Sequence, residues 1–132
     1  MNVPASGIRT AARQDLGPAA LNTFFRIADR WELSPEEQMT LLGMTSPSTY
    51  YKWKKEPPRK VAPDMLERIS YVFGIYRALH ILLPNERQAD RWVRRPNANP
   101  LYGGGTPLER MLSGQVADLF VVRSHLDSER GG

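Results

Sequence analysis

Three times in this chain a hydroxyl residue stands directly before proline where an apolar pattern begins: Ser34-Pro35, Ser46-Pro47 and Thr106-Pro107. A serine or threonine oxygen can accept one of the unpaired N–H groups at a helix start. Proline suits the next position, where its missing donor costs nothing. Glu37 and Glu109 stand three residues after two of these caps, where a carboxylate can bond back to the cap's N–H. A chain punctuated this way is committed to short helices with fixed starting points. No Asn-Gly hairpin signal with flanking alternation and no internal repeat is present.

Between these marks the apolar spacing supplies the rest. Leu21, Phe24, Phe25, Ala28 and Trp31 predict one buried face of a helix over 18–31. A second helix starts at Pro35 and stops at Gly43. A third runs from Pro47 to Lys55, with Tyr50 and Trp53 buried, and Pro57-Pro58 ends it. A fourth runs from Pro63 to about Leu83 with apolar residues on nearly all sides, including Phe73, Ile81 and Leu82. That is the pattern of a central helix. Gly74 inside it implies close approach of another helix, since glycine there costs about 1 kcal/mol against alanine. Further helices are expected over 86–94, burying Ala89, Trp92 and Val93, over 107–112, and over 115–126. The last places Val116, Leu119, Phe120, Arg123 and Leu126 on one side. Residues 1–15 read as a mobile arm carrying Arg9 and Arg13, and Ser128 to Gly132 as a flexible tail. The expected fold is all-α: an N-terminal helix-turn-helix bundle over 16–62, continuous with a small helical C-terminal domain over 63–132.

One stretch fits no helix. Arg94 to Pro107 reads RRPNANPLYGGGTP. Loops this long inside compact domains are functional or disordered. Leu101 and Tyr102 in its middle are expected to pin it to the core. Gly103 to Gly105 are expected to allow close backbone approach. Arg94 and Arg95 are expected to face an acidic partner surface.

Charge is distributed unevenly. The net charge is +4, and all four lysines lie between Lys52 and Lys60. That nine-residue segment holds five basic residues and one acidic, so it carries the whole excess. A cluster of this kind attracts phosphate backbones or another polyanion, although a solvated patch has the same composition. There is no cysteine, which removes disulfide scaffolds and thiolate zinc sites. The start, Met1-Asn2-Val3-Pro4, lacks an apolar signal core, and the longest apolar run is too short to span a bilayer. A cytoplasmic protein with no membrane partner is expected.

The basic cluster begins on the second of two capped helices that meet at Leu42-Gly43-Met44-Thr45-Ser46-Pro47. This matches a DNA-binding helix-turn-helix, whose second helix enters the major groove. The outward positions are Ser46, Ser48, Thr49, Tyr51, Lys52 and Lys55, and Lys54, Arg59 and Lys60 extend the basic surface. Hydroxyls serve bases or phosphates, and lysine favours guanine edges and phosphates. An ordinary helical hairpin in a bundle shows the same turn pattern. Catalytic signatures are missing: no HExxH, no phosphate-cradling P-loop, no nucleophile elbow. His80 reads as a satisfied core or boundary residue. No enzyme activity, cofactor or metal is expected.

The C-terminal half then presents Trp92, Pro96-Asn97, Leu101, the glycines, Thr106-Pro107-Leu108 and Gly114, followed by an amphipathic helix. This W–PN–L–G–TPL–G pattern resembles the Xre/MbcA/ParS antitoxins over about residues 18 to 132. The resemblance implies an antitoxin that pairs with a RES-domain toxin acting on NAD, blocks its active site, binds operator DNA to autoregulate, and forms homodimers through the C-terminal domain. It assigns toxin binding to Trp92, Asn97, Leu101, Pro107 and Leu108, with Arg94, Arg95 and Arg123 beside them. It makes Ser128, Glu129, Arg130 and Gly131 candidates for reaching the toxin site. Two other readings stay open: a helix-turn-helix repressor whose C-terminal half only dimerises, and a nucleotide-binding module using the glycine loop.

Overall fold

A computed structural model describes residues 16–131. The expected N-terminal arm, with Arg9 and Arg13, and the final residue lie outside the described residues. Seven α-helices follow one another without a strand among the described residues: α1 (Gly17–Arg30), α2 (Pro35–Leu42), α3 (Pro47–Lys55), α4 (Pro63–Leu82), α5 (Glu86–Arg91), α6 (Pro107–Met111) and α7 (Val116–Gly131). Turns of 3-10 helix cover Trp92–Arg94 and Pro100–Tyr102.

The caps form as the sequence demands. Ser34 Oγ accepts from Glu37 N at 3.1 Å, and Glu37 Oε1 accepts from Ser34 N at 2.8 Å. Ser46, Asn85 and Thr106 each accept from the third residue on. Only the Ser34 box is reciprocal. Glu109 instead lies against Gly105, where a Cβ would meet its Oε2 at 2.6 Å.

α4 is the centre of the molecule. It packs most extensively on α7, and also on α1, α2 and α5. Its buried residues are Met65, Ile69, Val72, Gly74, Ile75, Ala78 and Leu79. The expectation that it is covered all round holds only in part, because Phe73 is 44% and Ile81 51% exposed. Gly74 does mark a close approach by α7: the Arg123 side chain crosses it, with Nε 2.5 Å from where a Cβ would be. α1 buries Leu21, Phe24, Phe25, Ala28 and Trp31 as its spacing predicts.

α7 departs from the expected pattern twice. Its buried residues are Leu119, Val122 and Leu126, while Phe120 is exposed and leans edge-on against Tyr71 at 5.9 Å. Burying each aliphatic side chain stabilises by about 1.5–3 kcal/mol, so these three residues set the rotation of the helix. It also continues to Gly131 rather than fraying after Leu126. Arg123–Asp127 at 3.5 Å and Arg130–Asp127 at 3.9 Å link successive turns. Such pairs add only about 0.3–0.5 kcal/mol each, enough to extend a helix already anchored by its first three turns.

The loop from Arg94 to Pro107 is a folded connector. Asn97 N donates to Gly105 O at 3.0 Å, closing it into a ring, and Gly105 N donates to Tyr102 O at 2.8 Å. Tyr102 is buried as expected, but Leu101 is 38% exposed. The glycines serve turning rather than the expected close approach. Gly103 and Gly104 have φ of 55° and 85° with nothing near a Cβ, and only Gly105 is crowded. Left-handed backbone is where glycine is favoured.

Candidate nucleic-acid and partner interfaces

The turn between α2 and α3 is built on Gly43, at φ 73°, with Met44 N donating to Met39 O at 2.9 Å. This is a Schellman end, which needs a left-handed residue. A Cβ at Gly43 would also meet Arg68 Nε of α4 at 2.9 Å. The angle between the two helices is held by a buried polar pair. Tyr50, fully buried, donates to Gln38 Oε1 at 2.6 Å, and Gln38 Nε2 donates to Leu33 O at 2.9 Å. Gln38 was not singled out from sequence. The available signal was its phase, since it shares a helix face with Leu41 and Leu42.

On α3, Ser48, Tyr51, Lys52 and Lys55 are exposed, as the groove-facing reading requires. Ser46 and Thr49 are less free. Ser46 Oγ accepts from Thr49 N at 3.3 Å and from Thr49 Oγ1 at 3.1 Å, so both hydroxyls serve the cap. Trp53 is half-buried. Lys54 lies on another side, its ammonium 5.8 Å from the Tyr50 ring and 6.0 Å from Phe25, over the seam between α3 and α1. Arg59 and Lys60 are exposed on the segment after α3. Among the described residues, no carboxylate pairs with Lys52, Lys54, Lys55, Arg59 or Lys60.

In the C-terminal half, one histidine gathers the loop. His125 of α7 bonds Tyr102 Oη through Nδ1 at 2.7 Å and Asn99 Nδ2 through Nε2 at 3.3 Å. Asn99 Oδ1 caps Leu101 N at 3.0 Å, which turns its amide donor toward the ring. Trp92, half-buried, meets Tyr102 edge-on at 6.1 Å. Burial pushes the Tyr102 phenol up to about 12. A cleft of about 360 Å³ opens beside this cluster, lined by Leu82, Leu83, Trp92, Asn97, His125 and Glu129 among others. Sequence reasoning assigned His125 no role, because a lone histidine 23 positions from its tyrosine partner carries no local signal.

The other C-terminal residues divide by burial. Pro107 and Leu108 are buried and shape the domain from within. Asn97 Oδ1 accepts from Asn99 N at 2.9 Å. Leu101, Arg95 and the last turn of α7, Ser128 to Gly131, are exposed. Arg94 is exposed too, but its guanidinium is engaged within the chain. Its guanidinium donates to Trp31 O at 2.8 Å, Glu32 O at 2.6 Å and Glu37 Oε1 at 3.1 Å. Those acceptors are the unpaired carbonyl end of α1 and the capping carboxylate of α2. Arg123 is likewise engaged within the chain, donating to Ser70 O at 3.3 Å.

The glycine loop is poorly arranged for an anion. The N–H groups of Gly103 and Gly105 are spent on Pro100 O and Tyr102 O. His80 is satisfied as expected, 2.8 Å from Asp90.

Residues 10–74 match the family model of the antitoxin Xre-like helix-turn-helix domain, and residues 78–132 match that of the antitoxin Xre/MbcA/ParS C-terminal toxin-binding domain. The chain belongs to the Xre/MbcA/ParS antitoxin family. It is also 44% identical over 132 residues, the full length of both chains, to the uncharacterized protein y4oB of Sinorhizobium fredii (strain NBRC 101917 / NGR234). The antitoxin's two matched regions carry the partnerships of such a protein, DNA for the helix-turn-helix and a toxin for the C-terminal half. The border between them falls inside α4, so the antitoxin's two halves share one continuous helix. Among the described residues, no helix is long and apolar enough to cross a membrane.

Proposed function

We propose that this antitoxin neutralises a RES-domain toxin that consumes NAD, covering the toxin's active site with its C-terminal half. The toxin surface comprises Trp92, Asn97, Leu101 and Arg95, with Ser128, Glu129, Arg130 and Gly131 at the tip of α7 reaching furthest. Pro107 and Leu108 act from within by holding that surface in shape, and Arg94 and Arg123 brace it through their bonds to the rest of the chain. The exposed last turn of α7 supports this reading. Residues 127–131 contribute nothing to the core, yet they form helix. A preformed helix end enters a cleft with little ordering cost.

The protein acts by binding rather than by catalysis. It represses its own operon as a homodimer joined through the C-terminal domain, with α3 in the major groove. Ser48, Tyr51, Lys52 and Lys55 face the groove, while Lys54, Arg59 and Lys60 add positive charge.

Co-expression with the RES-type reading frame next to its own gene tests the toxin reading. The expected result is co-purification, restored growth and restored cellular NAD. A chain that neither co-purifies nor relieves growth arrest, yet still binds its operator, would leave a repressor whose C-terminal half serves dimerisation alone.

A further inference from the structure

The basic segment after α3 is fastened to the start of α1 by a backbone clasp. Leu16 occupies the N-cap position of α1 and has no side chain able to accept. The first N–H of the helix, on Gly17, donates instead to the Arg59 carbonyl at 3.0 Å. This satisfies a donor that a helix start leaves unpaired. The approach is so close that a Cβ on Gly17 would collide with the carbonyl oxygens of Pro58 and Arg59. Those are backbone atoms, which cannot swing aside as a flexible side chain would. Only glycine fits.

The other half of the clasp is stiff. Glu56 leaves α3 in extended geometry, and Pro57-Pro58 restrict their own φ. Both prolines are half-buried, whereas Arg59 and Lys60 are exposed. The backbone is thus held while the two cationic side chains stand free. They form a group separate from Lys52 and Lys55, which belong to α3.

We propose that Gly17 is a positioning residue for DNA binding: its clasp on Arg59 holds Arg59 and Lys60 as a second phosphate-contacting element beside the recognition helix. This rests on the DNA-binding reading above. Gly17 touches no DNA itself. It turns two otherwise mobile cations into fixed ones, so less ordering entropy is lost when they meet phosphate.

Salt dependence of binding to a labelled mixed-sequence duplex tests this, since each phosphate contact adds about 0.9 to the slope of log K against log salt. Arg59→Ala with Lys60→Ala, on exposed side chains, is expected to lower the slope by about 1.8. Gly17→Ala is expected to weaken binding at fixed salt, because Arg59 and Lys60 must then be ordered on contact, and to add nothing in the Arg59→Ala, Lys60→Ala background. If Gly17→Ala does not fold, amide exchange in the wild type decides the clasp. The Gly17 N–H is expected to be protected, unlike an ordinary first helical amide, and protected further on DNA. An unprotected Gly17 amide would overturn the proposal. So would an unchanged slope in the Arg59, Lys60 double variant while Lys52→Ala with Lys55→Ala lowers it. A wild-type protein that binds no DNA would overturn the DNA reading itself, and the proposal with it.

Discussion

Arg94 and Glu37 stand 57 positions apart, and Arg94 Nη2 donates to Glu37 Oε1 at 3.1 Å. The same carboxylate oxygen accepts the backbone N–H of Ser34, completing the cap of α2. Arg94 also binds the carbonyl of Glu32, a non-glycine residue held at φ 55°. One guanidinium therefore braces the first corner of the DNA-binding half from within the toxin-binding half. Arg68 ties the halves in the opposite direction, lying under Gly43 while its Nη2 donates to Gly114 O at 3.1 Å.

Arg94→Ala is expected to destabilise the fold by about 1.5–3 kcal/mol, the range for hydrogen bonds to a charged group. Arg94→Lys should recover less than half of that, because an ammonium cannot fork between the carbonyls and the carboxylate. Urea denaturation of the three proteins checks both statements.

Tyr50→Phe leaves Gln38 Oε1 buried without its donor, which costs about 1–3 kcal/mol. Adding Gln38→Leu removes the orphaned oxygen. The double variant should therefore be less destabilised than the sum of the singles, with a coupling of about 1 kcal/mol. A thermodynamic cycle from denaturation midpoints measures it.

The Tyr102 phenol is pushed from 10.0 up to about 12 by burial. A raised pKa means the folded state favours the protonated phenol. The associated stability is fully present below the unfolded value and is lost as pH rises from about 10 through about 12. Tyr102→Phe should flatten the alkaline loss without abolishing it. The phenols of Tyr71, held by its hydrogen bond to Glu67, and Tyr76, by burial, are raised as well. Stability measured across that pH range tests the sign.

Lys52→Ala with Lys55→Ala should weaken DNA binding and lower the salt slope by about 1.8. Lys54→Ala should lower it by clearly less than the about 0.9 of one full phosphate contact, because its ammonium lies over the Tyr50 and Phe25 rings. A drop of about 0.9 would show that Lys54 leaves the rings to meet phosphate.

His125→Ala removes the partner of both Tyr102 and Asn99. The expected cost is about 1–3 kcal/mol, with toxin capture impaired and DNA affinity retained. Pull-down and anisotropy on the same preparation separate the two effects.

The helices were legible in the sequence because their determinants are local. A cap, a proline and a 3.6-residue apolar period act within one or two turns, and Ser34, Ser46, Thr106 and Gly43 mark ends that fold as read. The basic cluster and the two family patterns were legible for the same reason, being contiguous in the chain. Rotation of α7 was not, because Val122 and Phe120 are both apolar and only the surface of α4 chooses between them. Nor were the tasks of Gly17, Gln38, Arg94 and His125. Each is defined by a partner at least five residues away, and for most by dozens. A polar group's role depends on which acceptor or donor the folded chain brings within about 3 Å, and that is decided only when α4 has gathered the other helices around it.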